Sequence, residues 1–311
     1  MQRKGGSSMT ERRDFLRQSF LIGAALALAP GQLFAGAKRE KLIILHTNDW
    51  HSRIEPFPMD GGRNQGLGGA AKRAALIRKI REEEKHVLLL DSGDIFQGTP
   101  YFNQFGGELE YRLMSEMGYD AATLGNHDFD NGLKGLKDQL PHATFPLVCA
   151  NYDFSGTELA GLIESYKIVE KGSWKIGILG IGIELKGLVP EKLYGATVYQ
   201  DPVDSANKVA KQLKEEDKCD LVICLSHLGY KYSGSKVSDQ VLAKDSEHID
   251  LILGGHTHTF LNKPEGIVNK KGHVVIVNQS GWGGIVLGRL DIEWTLGGKL
   301  SNPHNTMLKV S

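Results

Sequence analysis

Nine side chains able to hold a metal or move a proton fall into five short clusters along the chain. Asp49 and His51 stand two apart in Asn48-Asp49-Trp50-His51. In an extended chain residues two apart point the same way, so this pair can reach one metal together. Asp94 closes Asp91-Ser92-Gly93-Asp94, where Gly93 permits a sharp turn and the two oxygens of Asp94 can bridge two cations. Gly125-Asn126-His127-Asp128-Phe129-Asp130 offers a neutral oxygen ligand in Asn126 and a proton donor in His127. Asp130, three residues on, can orient His127 by accepting from its other nitrogen. His227 sits in Ser226-His227-Leu228-Gly229, and His256 and His258 in Gly254-Gly255-His256-Thr257-His258. The glycines let backbone approach closely, and His-x-His suits two neighbouring metals.

Each cluster alone has a plainer reading: a turn aspartate with a surface histidine, a helix cap, an Asx-turn. The order of all five, each directly after a predicted strand, is far more specific than any part. It uses five of the eleven histidines and leaves His46, His86, His142, His248, His273 and His304 as structural or surface residues.

The elements that must position these groups are legible from periodicity. Short apolar runs at 42–47, 87–91, 121–124, 145–150, 176–181, 221–226, 250–253, 274–278 and 285–293 read as strands bounded by Gly, Asn, Asp or Pro. Segments 69–84 and 203–216 read as helices, the first with Ala70, Ala74, Ile77 and Ile80 on one face. The early strands are nearly all apolar, as expected when both faces are covered. The last two lie close together with no helix between them, which predicts antiparallel pairing. This is an α/β architecture, and in open α/β sheets ligands bind beyond the carboxyl ends of the strands. Segments 57–69 and 230–238 are predicted rim loops.

The chain has 311 residues, 41% of them hydrophobic, enough for a large core. Its formal net charge of zero does not indicate a nucleic-acid partner. Residues 1–37 hold five basic and two acidic groups. There, Arg12-Arg13-Asp14-Phe15-Leu16-Arg17 resembles a twin-arginine export pattern. The apolar run 20–30 is short for a membrane span, and Ala35-Gly36-Ala37 supplies small residues for cleavage. The expected division is a signal peptide at 1–37, a catalytic domain at 38–300 and a tail at 301–311, with a periplasmic or secreted destination. Cys149 and Cys224 read as buried core thiols; with Cys219 they fit no zinc motif, and a single disulfide remains an open reading.

The motif order resembles that of the calcineurin-like metallophosphoesterases. The 5′-nucleotidase branch is the nearest match, through His46-Thr47-Asn48-Asp49, Asp94-Ile95-Phe96-Gln97-Gly98-Thr99-Pro100, Asn126-His127-Asp128-Phe129-Asp130 and Gly254-Gly255-His256-Thr257-His258. The resemblance implies a four-layer α-β-β-α sandwich with two facing mixed sheets. It implies that Asp49, His51 and His258 hold one cation, that Asn126, His227 and His256 hold another, and that Asp94 bridges them. It further implies attack on a phosphate monoester, most readily a 5′-nucleotide, by a metal-bridging hydroxide, with His127 protonating the leaving oxygen and Asp130 orienting it. All the ligands are nitrogen or oxygen, which suits Mn, Zn, Fe or Co rather than a structural zinc site.

Ser52 stands where glycine often follows the Asp-x-His pair. Secreted 5′-nucleotidases resemble this chain only in their N-terminal domain, and their second domain supplies the aromatics that stack on the base. Two alternatives follow. Either a separate chain carries the nucleoside-binding domain of a complex, or the substrate is a phosphodiester or nucleotide sugar.

Overall fold

A computed structural model describes residues 40–293 and 303–311; the export reading of 1–37 lies outside the described residues. In chain order the strands are β1 (Leu42–Thr47), β2 (Val87–Asp91), β3 (Ala121–Ala122), β4 (Tyr152–Asp153), β5 (Tyr166–Lys171), β6 (Trp174–Ile181), β7 (Val198–Tyr199), β8 (Leu221–Ser226), β9 (Leu251–Gly254), β10 (Glu265–Val268), β11 (Val274–Asn278), β12 (Val286–Ile292) and β13 (His304–Lys309). The helices are α1 (Ala70–Glu83), α2 (Pro100–Phe105), α3 (Glu108–Met117), α4 (Gly132–Gln139), α5 (Glu191–Tyr194), α6 (Pro202–Lys211) and α7 (Asp239–Asp245).

Two mixed sheets form, with strand orders β13-β12-β1-β2-β3 and β10-β11-β9-β8-β6-β5, and β4 and β7 make a small ribbon. The period-two alternation of a strand accounts for the layering. Ile43 and Leu45 of β1 and Leu89 of β2 pack with Ile77 and Ile80 of α1 in one core. Leu42, Ile44, Leu88 and Leu90 point the other way and are just as buried. On the second sheet, Leu179, Val222, Cys224 and Ile252 pack with Ala206, Val209 and Ala210 of α6 and Leu242 of α7. Helices therefore cover the outer faces, while the inner faces meet through contacts such as Asn278 Nδ2 donating to His46 Nε2 at 3.1 Å. Burial holds His46 neutral, pushing it down to about 3. This is the expected α-β-β-α sandwich.

Register explains how the site is launched. Thr47 pairs with Asp91 where parallel strands β1 and β2 end, and Ser226 pairs with Gly254 where β8 and β9 end. Each pair of ends releases two motif loops side by side.

Four expectations about the strands and helices differ from the structure. Segment 145–150 forms no strand; Val148 N donates to Ala122 O and Ala150 N to Gly180 O, so it steps from one sheet to the other and no ladder can grow. The last two predicted strands do not pair, because β11 lies between β9 and β10 while β12 lies between β1 and β13. The intervening chain crosses between sheets on Gly281, Gly283 and Gly284, all at positive φ. The segment set apart as a tail contributes β13, which pairs antiparallel with β12. Finally, Arg73 joins Ala70, Ile77 and Ile80 on the buried face of α1, its guanidinium 4.0 Å over the Trp50 ring, while Ala74 is only partly buried. The edge strands β5, β10 and β13 escaped the periodicity reading because one face of each stays partly exposed and mixes polar with apolar residues. All three cysteines are buried and free.

Candidate metal centre

The five clusters converge. Asp49, His51 and His258 offer ligand atoms all within 4.8 Å of one another, and so do Asp94, His227 and His256. Asn126 joins the second group, its Oδ1 lying 2.9 Å from His256 Nδ1. Asp94 lies between the groups: its Oδ2 is 3.1 Å from His227 Nε2 and 3.9 Å from His51 Nε2. In the first group His258 Nε2 is 3.3 Å from Asp49 Oδ1 and 3.1 Å from His51 Nε2.

The loops lock one another in place. Asp49 N donates to Gly93 O, His51 N to Asp94 O and Ser52 N to Ile95 O, at 2.9, 3.0 and 2.9 Å. The second sheet is tied in when His256 N donates to the Asp49 carboxylate and Ser92 Oγ donates to Leu253 O. Asn48 fastens the crossing chain: its Nδ2 donates to Gly281 O, and its Oδ1 accepts from Ser280 N and Oγ.

The extended arrangement expected for Asp49 and His51 does not occur. Both are left-handed, at φ 50 and 53, and so are Asp94, His256 and His258, at φ 56, 67 and 52. Such backbone costs roughly 1–3 kcal/mol per residue and persists where neighbours over-determine it. The interloop hydrogen bonds supply that constraint. Left-handed turns curl the side chains inward over the strand ends, which a straight strand continuation would not do.

The donor chemistry fits a cation. His227 Nδ1 lies 2.7 Å from Ser92 O; that carbonyl can only accept, which assigns the proton to Nδ1. Its Nε2, buried and 3.1 Å from Asp94 Oδ2, can then offer a lone pair to a bound cation. A lone pair and a carboxylate oxygen at that separation need positive charge between them. Protonation tells the same story: burial opposes a charged His227, yet the Asp94 carboxylate overrides it and pushes the ring up to about 10. Asp94, despite burial, is held well below the usual carboxylate range by His227 and its neighbouring histidines. Burial lowers His51, and burial with His227 lowers His256 to about 4, so these rings keep lone pairs free.

His127 stands apart from both groups. Its Nδ1 is 2.8 Å from Asp130 Oδ2, and that hydrogen bond holds the imidazole above its ordinary value. Its side chain is 38% exposed, open to an incoming ligand. All nine side chains singled out in the sequence therefore lie in one cluster.

Three residues escaped assignment. Trp282 stacks on His258, centroids 5.5 Å apart and planes at 11°, and Phe57 of the first predicted rim loop meets Trp282 edge-on. The signal for Trp282 was its setting, Gly281-Trp282-Gly283-Gly284. Asn48 and Asp128 lie inside the motifs; Asp128 binds only backbone N–H groups, and Asn48 binds backbone groups together with the side chains of Asp49 and Ser280. Tyr232 of the second rim loop donates to Leu228 O, beside His227.

A Cβ on Gly255 would stand 2.8 Å from His227 Nδ1, 2.9 Å from Ser92 O and 3.2 Å from Asp49 Oδ2. Gly255→Ala is therefore expected to pry His227 from Ser92 and weaken metal affinity by about 10–100-fold, the range for loss of a ligand's supporting hydrogen bond. At Gly156 a Cβ meets Ala196 at an ordinary 3.6 Å, so Gly156→Ala should match the parent in a chelator competition. Equal affinity in both variants would contradict this packing account.

The chain belongs to the calcineurin-like phosphoesterase family, whose model matches residues 42–260. Within that family its relatives include the snake venom 5′-nucleotidase of Gloydius brevicauda, 39% identical over 249 residues, covering 78% of this chain but 40% of that protein. The 5′-nucleotidase of Bos taurus is 32% identical over 293 residues, covering 88% of this chain and 50% of its own length. Among solved structures, a 5′-nucleotidase precursor from Thermus thermophilus superposes with a TM-score of 0.77 at 33% identity, covering 86% of this chain and 54% of that one. The chain thus spans about half, or less, of these relatives' length.

Proposed function

We propose that this chain is an exported, dinuclear-metal phosphohydrolase that cleaves phosphate monoesters, with 5′-nucleotides as its preferred class. The observation that carries the reading is the position of Asp94 between two ligand groups, with the His127–Asp130 pair beside them. Asp49, His51 and His258 would hold one divalent cation, Asn126, His227 and His256 the other, and Asp94 both. When bound, such a pair supplies Lewis acidity and a hydroxide nucleophile at neutral pH. Asp49 and Asp94 would offset only part of the cations' positive charge, so the site favours an anionic phosphoryl group. His127, kept protonated by Asp130, donates to the departing oxygen, and its exposed face gives the ester room to enter. Mn, Zn, Fe and Co all accept this nitrogen and oxygen donor set.

The test is a phosphate-release screen on chain recovered from the periplasm, with its N-terminus read and its metal content analysed. A start near Lys38, two metals per chain and release from AMP and related monoesters are expected. Absence of hydrolysis of any phosphate ester after Mn or Zn loading would sink the reading.

A second reading concerns the nucleoside. The match covers 40% of the venom relative's length, and in this reading a separate polypeptide supplies the base-binding surface. A preference for AMP that emerges only on mixing with such a partner, with co-elution in gel filtration, would support it.

A further inference from the structure

Asp128 sits among the motif residues yet contributes to neither ligand group. It is 1% exposed, and both its oxygens are occupied. Oδ2 accepts the N–H of Asp94 at 3.0 Å and of Gly125 at 2.8 Å. Oδ1 accepts the N–H of Ile95 at 3.0 Å and of Phe96 at 3.2 Å. A carboxylate has about four lone-pair directions, and here each meets a backbone donor. None is left for a cation, which excludes Asp128 as a further ligand.

Three of those donors are consecutive. Successive N–H groups around a left-handed residue make a concave anion site, and Asp94 is left-handed at φ 56. Asp128 supplies the anion from within the chain. The fourth donor, Gly125, belongs to the other loop, so one carboxylate clamps the turn after β2 to the turn after β3. The clamp reaches the reactive side chain through a second contact, in which His127 N donates to Asp94 Oδ1 at 2.8 Å. Gly125 leaves no slack, since a Cβ there would lie 2.1 Å from Asp94 Oδ1.

We propose that Asp128 is the positioning residue of the metal centre: by filling the nest of Asp94, Ile95 and Phe96 it sets the left-handed turn that aims Asp94 at both ligand groups. The inference rests on reading Asp94 as the shared ligand. An asparagine at 128 would turn an NH₂ toward two of the four backbone donors, losing their hydrogen bonds and the negative charge together. The turn would then relax, and Asp94 would reach one group at the expense of the other.

Two measurements on the full chain test this. In a chelator competition with Mn²⁺, Asp128→Asn is expected to bind about 10–100-fold more weakly than the parent, and saturating Mn²⁺ should restore part of its phosphate release because Asp94 and His127 remain. A merely structural role would lower the thermal midpoint of the metal-free chain and leave Mn²⁺ affinity at the parental value; that result overturns the proposal. The second measurement needs no variant. In the metal-free parent the amides of Asp94, Ile95, Phe96 and Gly125 should exchange slowly as one set, and exchange at free-peptide rates would overturn the proposal even if the variant failed to fold. The chelator competition and the amide exchange use no substrate. A parent that binds Mn²⁺ but hydrolyses nothing defeats the phosphohydrolase reading alone, whereas an active parent with an unimpaired Asp128→Asn variant defeats this one alone.

Discussion

Asp94→Asn is expected to lose metal and activity together. Asp94 Oδ2 is the atom that approaches both groups, 3.1 Å from His227 Nε2 and 3.9 Å from His51 Nε2. Asparagine keeps the shape but replaces one oxygen with an NH₂, which has no lone pair to offer a cation. It also removes one of the two carboxylate charges among the candidate ligands. The loss of phosphate release should exceed the roughly 10–100-fold cost of removing an outer partner of a ligand. Metal analysis after dialysis should find fewer than two ions per chain. The change is nearly isosteric, and Asp128 still clamps the backbone, so the chain should remain folded. Two metals at parental affinity, with parental turnover, would remove Asp94 from the shared position.

The second large effect is of the opposite kind. His127→Ala should keep both metals and lose about 10²–10⁴-fold in rate, the usual worth of a positioned general acid. His127 belongs to neither ligand group: its Nδ1 is engaged by Asp130, and its ring only meets His51 edge-on at a centroid distance of 5.3 Å. Asp130 favours the protonated imidazole. The deficit should depend on the leaving group. An aryl phosphate, whose departing oxygen needs little protonation, should suffer less than a nucleoside monophosphate. Asp130→Asn should move rates in the same direction by a smaller factor. Full turnover of AMP by His127→Ala would eliminate the proton-donor role.

These side chains are legible in the sequence for a physical reason. A ligand must project from a strand end, and strand ends are marked by the change from apolar run to Gly, Asn and Asp. The runs 42–47, 87–91, 221–226 and 274–278 coincide with β1, β2, β8 and β11 because all their residues but Val274 are buried, and each is apolar up to its last one or two residues. Edge strands carry no such mark. β13 reads His-Asn-Thr-Met-Leu-Lys, and its place beside β12 follows from the ladder it completes rather than from its composition. Sheet membership was equally hidden: 274–278 and 285–293 are sequence neighbours, but three left-handed glycines carry the chain from one sheet to the other between them.

The sequence by itself determined which atoms are available for chemistry, because ligand identity is a property of residue type, and it determined that they follow strands, because burial leaves a periodic trace. Tertiary structure alone decided how those atoms face one another. The left-handed turns at Asp49, His51, Asp94, His256 and His258 are unfavourable locally and exist only because two sheets and their loops hydrogen-bond across one another. The same holds for the Asp128 clamp and the stack of Trp282 on His258, which join residues distant in the chain. Local propensity carries no record of such contacts, since their energy appears only when the strand ends have been brought together.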